Sequence, residues 1–304
     1  MNFKTILNAL GIWLLSMFLL HFYVKGDQIV YSQLYDALAN TKFAEVSATA
    51  YFYVTSIEPV SNYILWIGAI AGVPKNIYIS CLNVLLIMAI FKLLRRYNSP
   101  KHAYLFVVTN FYIVVLMTGA ERLKIAYILL ALGVLSTKKL SRVLLLSSPL
   151  GHAQSIILLI SAGAPKFFNS LRSSRYALLI APLIVVIGGK ILFGPLQTTI
   201  EKGTYYLEKS NGIFEIFNII VLVICSYILF PRLSSLYVSM LILIIAAYIF
   251  GGMRVNMIAF TLFFYTSVRF EKLAHPLVIL IMLYFSIKSV PFVMNIILLG
   301  NGFA

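Results

Sequence analysis

Apolar runs close to the length of a membrane-spanning helix recur along the chain, at about 6–24, 76–94, 103–118, 123–136, 176–193, 213–230, 235–250, 255–268 and 275–298. A helix needs about 20 apolar residues to cross a bilayer. The shorter runs suit helices that border a polar cavity. The chain is 61% hydrophobic and 11% charged, with a mean hydropathy of +0.96. Soluble domains do not have that balance. The expectation is an all-α, polytopic integral membrane bundle of about 10–12 helices, some short or re-entrant, forming one transmembrane domain over 1–304. The first run, 6–24, has no small-residue cleavage site after it and reads as a retained span rather than a signal peptide. Residues 43–72 are more mixed and read as interfacial or partly re-entrant.

A net charge of +15 would suggest nucleic acid in a soluble protein, but in a membrane chain it reports topology first. No nucleic-acid partner is expected. No Gly-rich phosphate loop or Cys/His metal cluster is present, so neither a metal nor another cofactor is expected. Cys81 and Cys225 both lie in apolar runs and read as packing residues.

The window "VVLMTGAERLKIAYILLALGVL", 114–135, is long enough for one span yet carries Glu121, Arg122 and Lys124 at its centre. Three charges there are costly in hydrocarbon, so the window reads as two helices. One ends near Thr118–Gly119 and the next opens at Arg122. A second irregularity is "VLLLSSPLGHAQSIILLISAGA", an apolar segment broken by Ser147, Ser148, Pro149, Gly151 and His152. Lys138, Lys139 and Arg142 flank one end, and Lys166, Arg172 and Arg175 the other. Two short helices turning near Pro149–His152 would place both basic clusters on the cytoplasmic side, as the positive-inside rule favours. The same topology brings Glu58, Arg122, His152 and Arg254 to or near the outer face.

Each of these residues admits a structural and a functional reading. Arg122 stands in the first turn of a good helix, where a cation opposes the helix dipole unless Glu121 or another anion compensates. It is either a surface Arg–Glu pair or an anion-binding guanidinium whose fork suits phosphate. Arg254, after Gly251–Gly252, repeats the pattern and is either an interfacial anchor or a second clamp. His152 either satisfies the broken segment or transfers protons near neutral pH. Glu58, before Pro59, reads first as a helix-start anion and second as a proton acceptor. Tyr205 and Tyr206, in the loop 194–216, are interface tyrosines or a platform for sugar rings.

The order of these features resembles the EpsG / Wzy-type polysaccharide polymerases of bacterial envelopes. An outer Glu–Pro precedes an interfacial helix, a first-turn Arg follows a hairpin ("GAERLKIAYILLALGVLSTKKLSR"), a His lies in the next hairpin ("SSPLGHAQSIILLI"), and a second Arg stands in "GGMRVNMIAF". The resemblance runs from residue 27 to about 270 through sparse positions. Departures are that Arg122 is followed by Leu123 and Lys124, where many relatives have Arg-Gln after the hairpin, that Gly151–His152 stands where Phe-His is usual, and that the chain, at 304 residues, is shorter than many relatives.

The resemblance implies a GT-C-like, inverting membrane glycosyltransferase of the inner (cytoplasmic) membrane, multi-pass, with its active site facing the periplasm. It would transfer a growing glycan from undecaprenyl diphosphate onto an incoming lipid-linked repeat unit, with a chain-length regulator as a further partner. Arg122 and Arg254 would clamp diphosphates, and His152 or Glu58 would be the base, His152 being preferred. Two alternatives stand beside it, a transporter or flippase of lipid-linked glycan and an O-antigen ligase-like transferase. A purely structural membrane subunit is a third, and it leaves the clustered polar residues unexplained.

Overall fold

The computed structural model describes residues 3–162, 212–231, 233–250 and 252–303. All regular structure among them is helical: α1 (Phe3–Phe22), α2 (Asp27–Leu38), a 3-10 turn at Phe43–Glu45, α3 (Val46–Val54), α4 (Pro59–Ile70), α5 (Lys75–Arg96), α6 (Lys101–Thr109), α7 (Phe111–Thr118), α8 (Glu121–Leu135), α9 (Lys138–Gly151), α10 (Gly212–Leu229), α11 (Ser234–Phe250), α12 (Gly252–Arg269) and α13 (Pro276–Leu299). A further short helix covers 155–162. The expected run at 176–193 lies outside the described residues.

Three of these helices, α1, α5 and α13, are long and apolar enough to cross a membrane. The pair α6–α7 passes the same test when taken together but bends by 51°, as in a broken span or a re-entrant loop. The bend falls at Asn110, whose extended backbone stops α6 while its side chain accepts from Tyr112 N and caps α7. Sequence reading took 103–118 as one run; an asparagine N-cap inside it makes two helices.

The described chain falls into two compact units, 1–155 with 273–304, and 156–272. In the first, α5 packs on α1 and α8, α9 packs on α8, and α4 reaches both α8 and α9. Leu34 and Leu38 of α2, Val46 and Ala50 of α3, Leu65 of α4, Ile79 of α5 and Ile125 of α8 form a buried apolar cluster. The peptide carbonyl of Gly300, a residue with φ +73°, accepts from Val24 N and Lys25 N, tying the end of α13 to the end of α1. In the second unit, α10, α11 and α12 pack on one another.

α8 and α9 run antiparallel, because Gly133 meets Leu145 while Ala126 meets Gly151. A Cβ on Gly151 would sit 3.2 Å from the Ala126 backbone, so only glycine allows this approach without displacement. The segment 114–135 is indeed two helices, with α7 ending at Thr118 and α8 starting at Glu121. The break expected near Pro149–His152 falls at the end of that stretch, at His152. Pro149 lies inside the last turn of α9, and the helix gives way only at His152. The missing N–H of Pro149 would have bonded Leu145 O; Ser148 Oγ donates to that carbonyl instead, at 2.7 Å.

Candidate functional site

Three helix termini in the first unit deliver one side chain each to a common point. Glu58 is the residue before α4, with Pro59 at the first helical position. Arg122 occupies the first turn of α8. His152 closes α9 in an extended conformation, its N–H still bonded to Ser148 O.

Glu58 is 6% exposed and its carboxylate joins the other two. Arg122 Nη1 donates to Oε2 at 2.5 Å, and His152 Nδ1 lies 2.7 Å from Oε1. Ser56 Oγ adds a bond to Oε2 at 2.7 Å, and Ala153 N a long one to Oε1 at 3.4 Å. Each carboxylate oxygen thus receives two donors, which fills the acceptor capacity of the group. Ser56 Oγ also lies 2.8 Å from the Asn62 side-chain oxygen, and one hydroxyl proton cannot serve both neighbours. The Asn62 Nδ2 has no partner among the described residues. Turning that amide so that Nδ2 donates to Ser56, which donates to Glu58, satisfies the chain.

Burial by itself would push the Glu58 carboxyl up. The hydrogen bond to His152 and the charge of Arg122 outweigh it and hold the carboxyl down at about 2. Glu58 is therefore ionised at any physiological pH. Glu58 stands at the start of α4, as expected of a helix-start anion, but makes no side-chain cap bond there; its carboxylate bonds Arg122 of α8 and His152 at the end of α9.

The guanidinium of Arg122 is directed from two sides. Nε donates to the hydroxyl of Tyr31, on α2, at 3.0 Å while Nη1 holds Glu58. The side chain keeps 19% exposure, and Nη2 takes no hydrogen bond among the described residues. That leaves one edge of the fork for an external anion. The compensating anion is Glu58, not the adjacent Glu121. Glu121 instead forms an i,i+3 pair with Lys124 at 2.8 Å, both side chains sealed from solvent.

Tyr31, Ser56 and Gln28 escaped sequence reading. The signal for α2 was present in "DQIVYSQLYDAL", where Leu34, Tyr35 and Leu38 recur at helical spacing after an acidic start. Arg254 lies, as expected, in the first turn of a helix, α12, in the second unit. Tyr205 and Tyr206 lie outside the described residues. Both cysteines are free. Compared with known proteins, the chain matches no family model, no curated sequence and no solved structure.

Proposed function

We propose that the protein is a membrane glycosyltransferase of the polysaccharide-polymerase kind, acting on undecaprenyl-diphosphate-linked oligosaccharides at the periplasmic face of the bacterial inner membrane. The observation that carries the reading is the Glu58 carboxylate shared between Arg122 and His152. It couples an anion-binding cation and a proton acceptor within a single hydrogen-bonded unit, as transfer from a diphosphate to a hydroxyl requires.

In this reaction the acceptor hydroxyl gives its proton to His152 Nε2 as its oxygen attacks the anomeric carbon of the growing chain. The bond from that carbon to the diphosphate oxygen breaks, the configuration inverts, and undecaprenyl diphosphate leaves with the electron pair. Nε2 is the nitrogen that carries the lone pair, because ionised Glu58 fixes the proton of the neutral imidazole on Nδ1. Glu58 orients the ring and stabilises the imidazolium once it forms, but it has no acceptor site left for a substrate proton. The choice between the two bases therefore goes to His152, with Glu58 as its positioning residue.

Arg122 offers its Nη2 edge to the departing diphosphate, where charge grows in the transition state. Because Glu58 already neutralises Arg122, a second cation is needed, and Arg254 is the proposed ligand of the other diphosphate. Tyr205 and Tyr206 are proposed to hold sugar rings, and a chain-length regulator is the proposed protein partner.

The test is polymerisation in vitro by the purified full chain supplied with lipid-linked repeat units. Products longer than one repeat, lost in His152→Gln, are expected. Tight binding of the lipid-linked unit by the wild type without any elongation would replace the polymerase by the transporter reading.

A further inference from the structure

Behind Arg122 lies a second polar cluster that takes no part in the proposed chemistry. Lys124 is 0% exposed and Glu121 1%. Lys124 Nζ donates to Glu121 Oε2 at 2.8 Å and to Met117 O at 3.3 Å. The other carboxylate oxygen, Oε1, accepts from Gln28 Nε2 at 3.0 Å. The same amide donates to Thr118 O, the last carbonyl of α7, and its oxygen accepts from Lys75 Nζ at 2.6 Å. Lys75, at the start of α5, also reaches Ser32 Oγ at 2.9 Å. Gln28 is thus the hub joining α2, α5, α7 and α8, and both ends of its amide are used.

An ion pair this deep is a poor source of stability, since desolvation offsets its attraction, and buried polar groups are better explained by the arrangement they specify. The arrangement here is the register of α2 on α8. Gln28 and Tyr31 are three residues apart on one face of α2. They grip neighbouring residues of α8: Gln28 holds Glu121, and Tyr31 holds Arg122. A slide or rotation of α2 would break both contacts together. The direction of the Arg122 fork toward Glu58 is therefore set from behind by an amide that touches neither.

We infer that Gln28 is a positioning residue for Arg122: through Glu121 and Thr118 it locks α2 against α8 so that the Tyr31 hydroxyl aims the guanidinium. This rests on the anion-binding role proposed for Arg122, but its test does not need turnover.

The test compares three full-length proteins in detergent by the rate at which phenylglyoxal modifies Arg122, read by peptide mass spectrometry, with thermal midpoints measured in parallel. Gln28→Met removes both hydrogen bonds from the amide donor and the acceptor for Lys75. Arg122 should react about tenfold faster in it, the opening that loss of hydrogen bonds of ordinary net strength allows. The exchange Gln28→Glu with Glu121→Gln keeps one carboxylate and both lysines and reverses donor and acceptor between the two side chains, but leaves Thr118 O without its donor. Arg122 should therefore react at a rate between those of wild type and Gln28→Met.

Unchanged protection in folded Gln28→Met would overturn the inference. If that variant does not fold, the exchanged pair decides: faster reaction of Arg122 than in wild type upholds the inference, and wild-type protection ends it. Absence of polymer from the wild type would count against the proposed reaction and leave this result standing.

Discussion

His152 Nδ1 and Glu58 Oε1 stand 2.7 Å apart, joining the end of α9 to the start of α4 through one carboxylate. A neutral ring facing an ionised, fully bonded carboxylate keeps its proton on Nδ1. His152→Gln preserves a donor to Glu58 but has no basic nitrogen. Its turnover in the polymerisation assay should fall by ~10²–10⁴-fold with the thermal midpoint little changed. Wild-type turnover in that variant would remove His152 from the reaction, and a large drop in midpoint would make it a structural tie.

Glu58→Gln tests the other half of the pair. The introduced amide oxygen can accept from Arg122 and Ser56, but the amide nitrogen can only donate to His152 Nδ1, which moves the ring proton to Nε2 and removes the negative charge. Expected are loss of turnover comparable to that of His152→Gln and a lower thermal midpoint, since Arg122 is left without its counter-charge.

The pH dependence has a defined sign. Burial opposes ionisation of Glu58, but its hydrogen-bonded partners win and hold the folded carboxyl at about 2, below the usual carboxylate value. A depressed carboxyl contributes stability that is complete above the unfolded value, near 4.3, and is lost as pH falls through the folded value. Thermal midpoints of wild type minus Glu58→Gln should therefore be constant from pH 7 to about 5 and narrow between about 4 and 2. Any fall in turnover above about pH 5 belongs to a group other than Glu58.

Arg122→Lys separates charge from geometry. A lysine ammonium keeps the charge but lacks the fork that meets Tyr31 and Glu58 together. Arg122→Ala should cost ~10²-fold or more in turnover, and Arg122→Lys should recover only part of it. Full activity in the alanine variant would return Arg122 to a structural pair with Glu58.

Gly151→Ala is a steric probe of the same site. Its Cβ would press on the Ala126 backbone at 3.2 Å, and the small shift needed lies one residue from His152. The substitution should cost about 1–3 kcal/mol, read by denaturation in detergent, and should lower turnover more than its stability loss explains. Ser148→Ala, which strips Leu145 O of its substitute donor, should cost about 1 kcal/mol.

Helix positions were the most legible part of the sequence, because apolar runs dominate it. α1, α5, α11 and α13 fall within a few residues of the expected runs. Charge placement grouped Glu58, Arg122, His152 and Arg254; of these, Glu58, Arg122 and His152 meet in one hydrogen-bonded cluster, and Arg254 belongs to the other unit. The pairing within the cluster was not legible. Glu121 is the sequence neighbour of Arg122 and the obvious partner, yet adjacent residues on a helix point apart, and i,i+3 geometry gives Glu121 to Lys124. Tyr31 and Gln28 were invisible for a different reason. Their roles come from the packing of α2 against α8, which no local pattern encodes.

The two charge pairs of α8 differ in when they can form. Glu121 and Lys124 belong to one helical turn, so they neutralise each other as soon as that turn winds. Arg122 depends on Glu58, sixty-four positions upstream. The ribosome makes Glu58 first, so the carboxylate precedes the cation it will hold. Every ionic partner of α8 is therefore either internal or already synthesised when the helix emerges, and its charges need not wait for the C-terminal half of the protein. His152 arrives last, and the Glu58 carboxylate it joins by then already has Arg122. A chain interrupted after α8 would contain Glu58 and Arg122 without His152, which makes truncation a way to read the Arg122 pair apart from the imidazole.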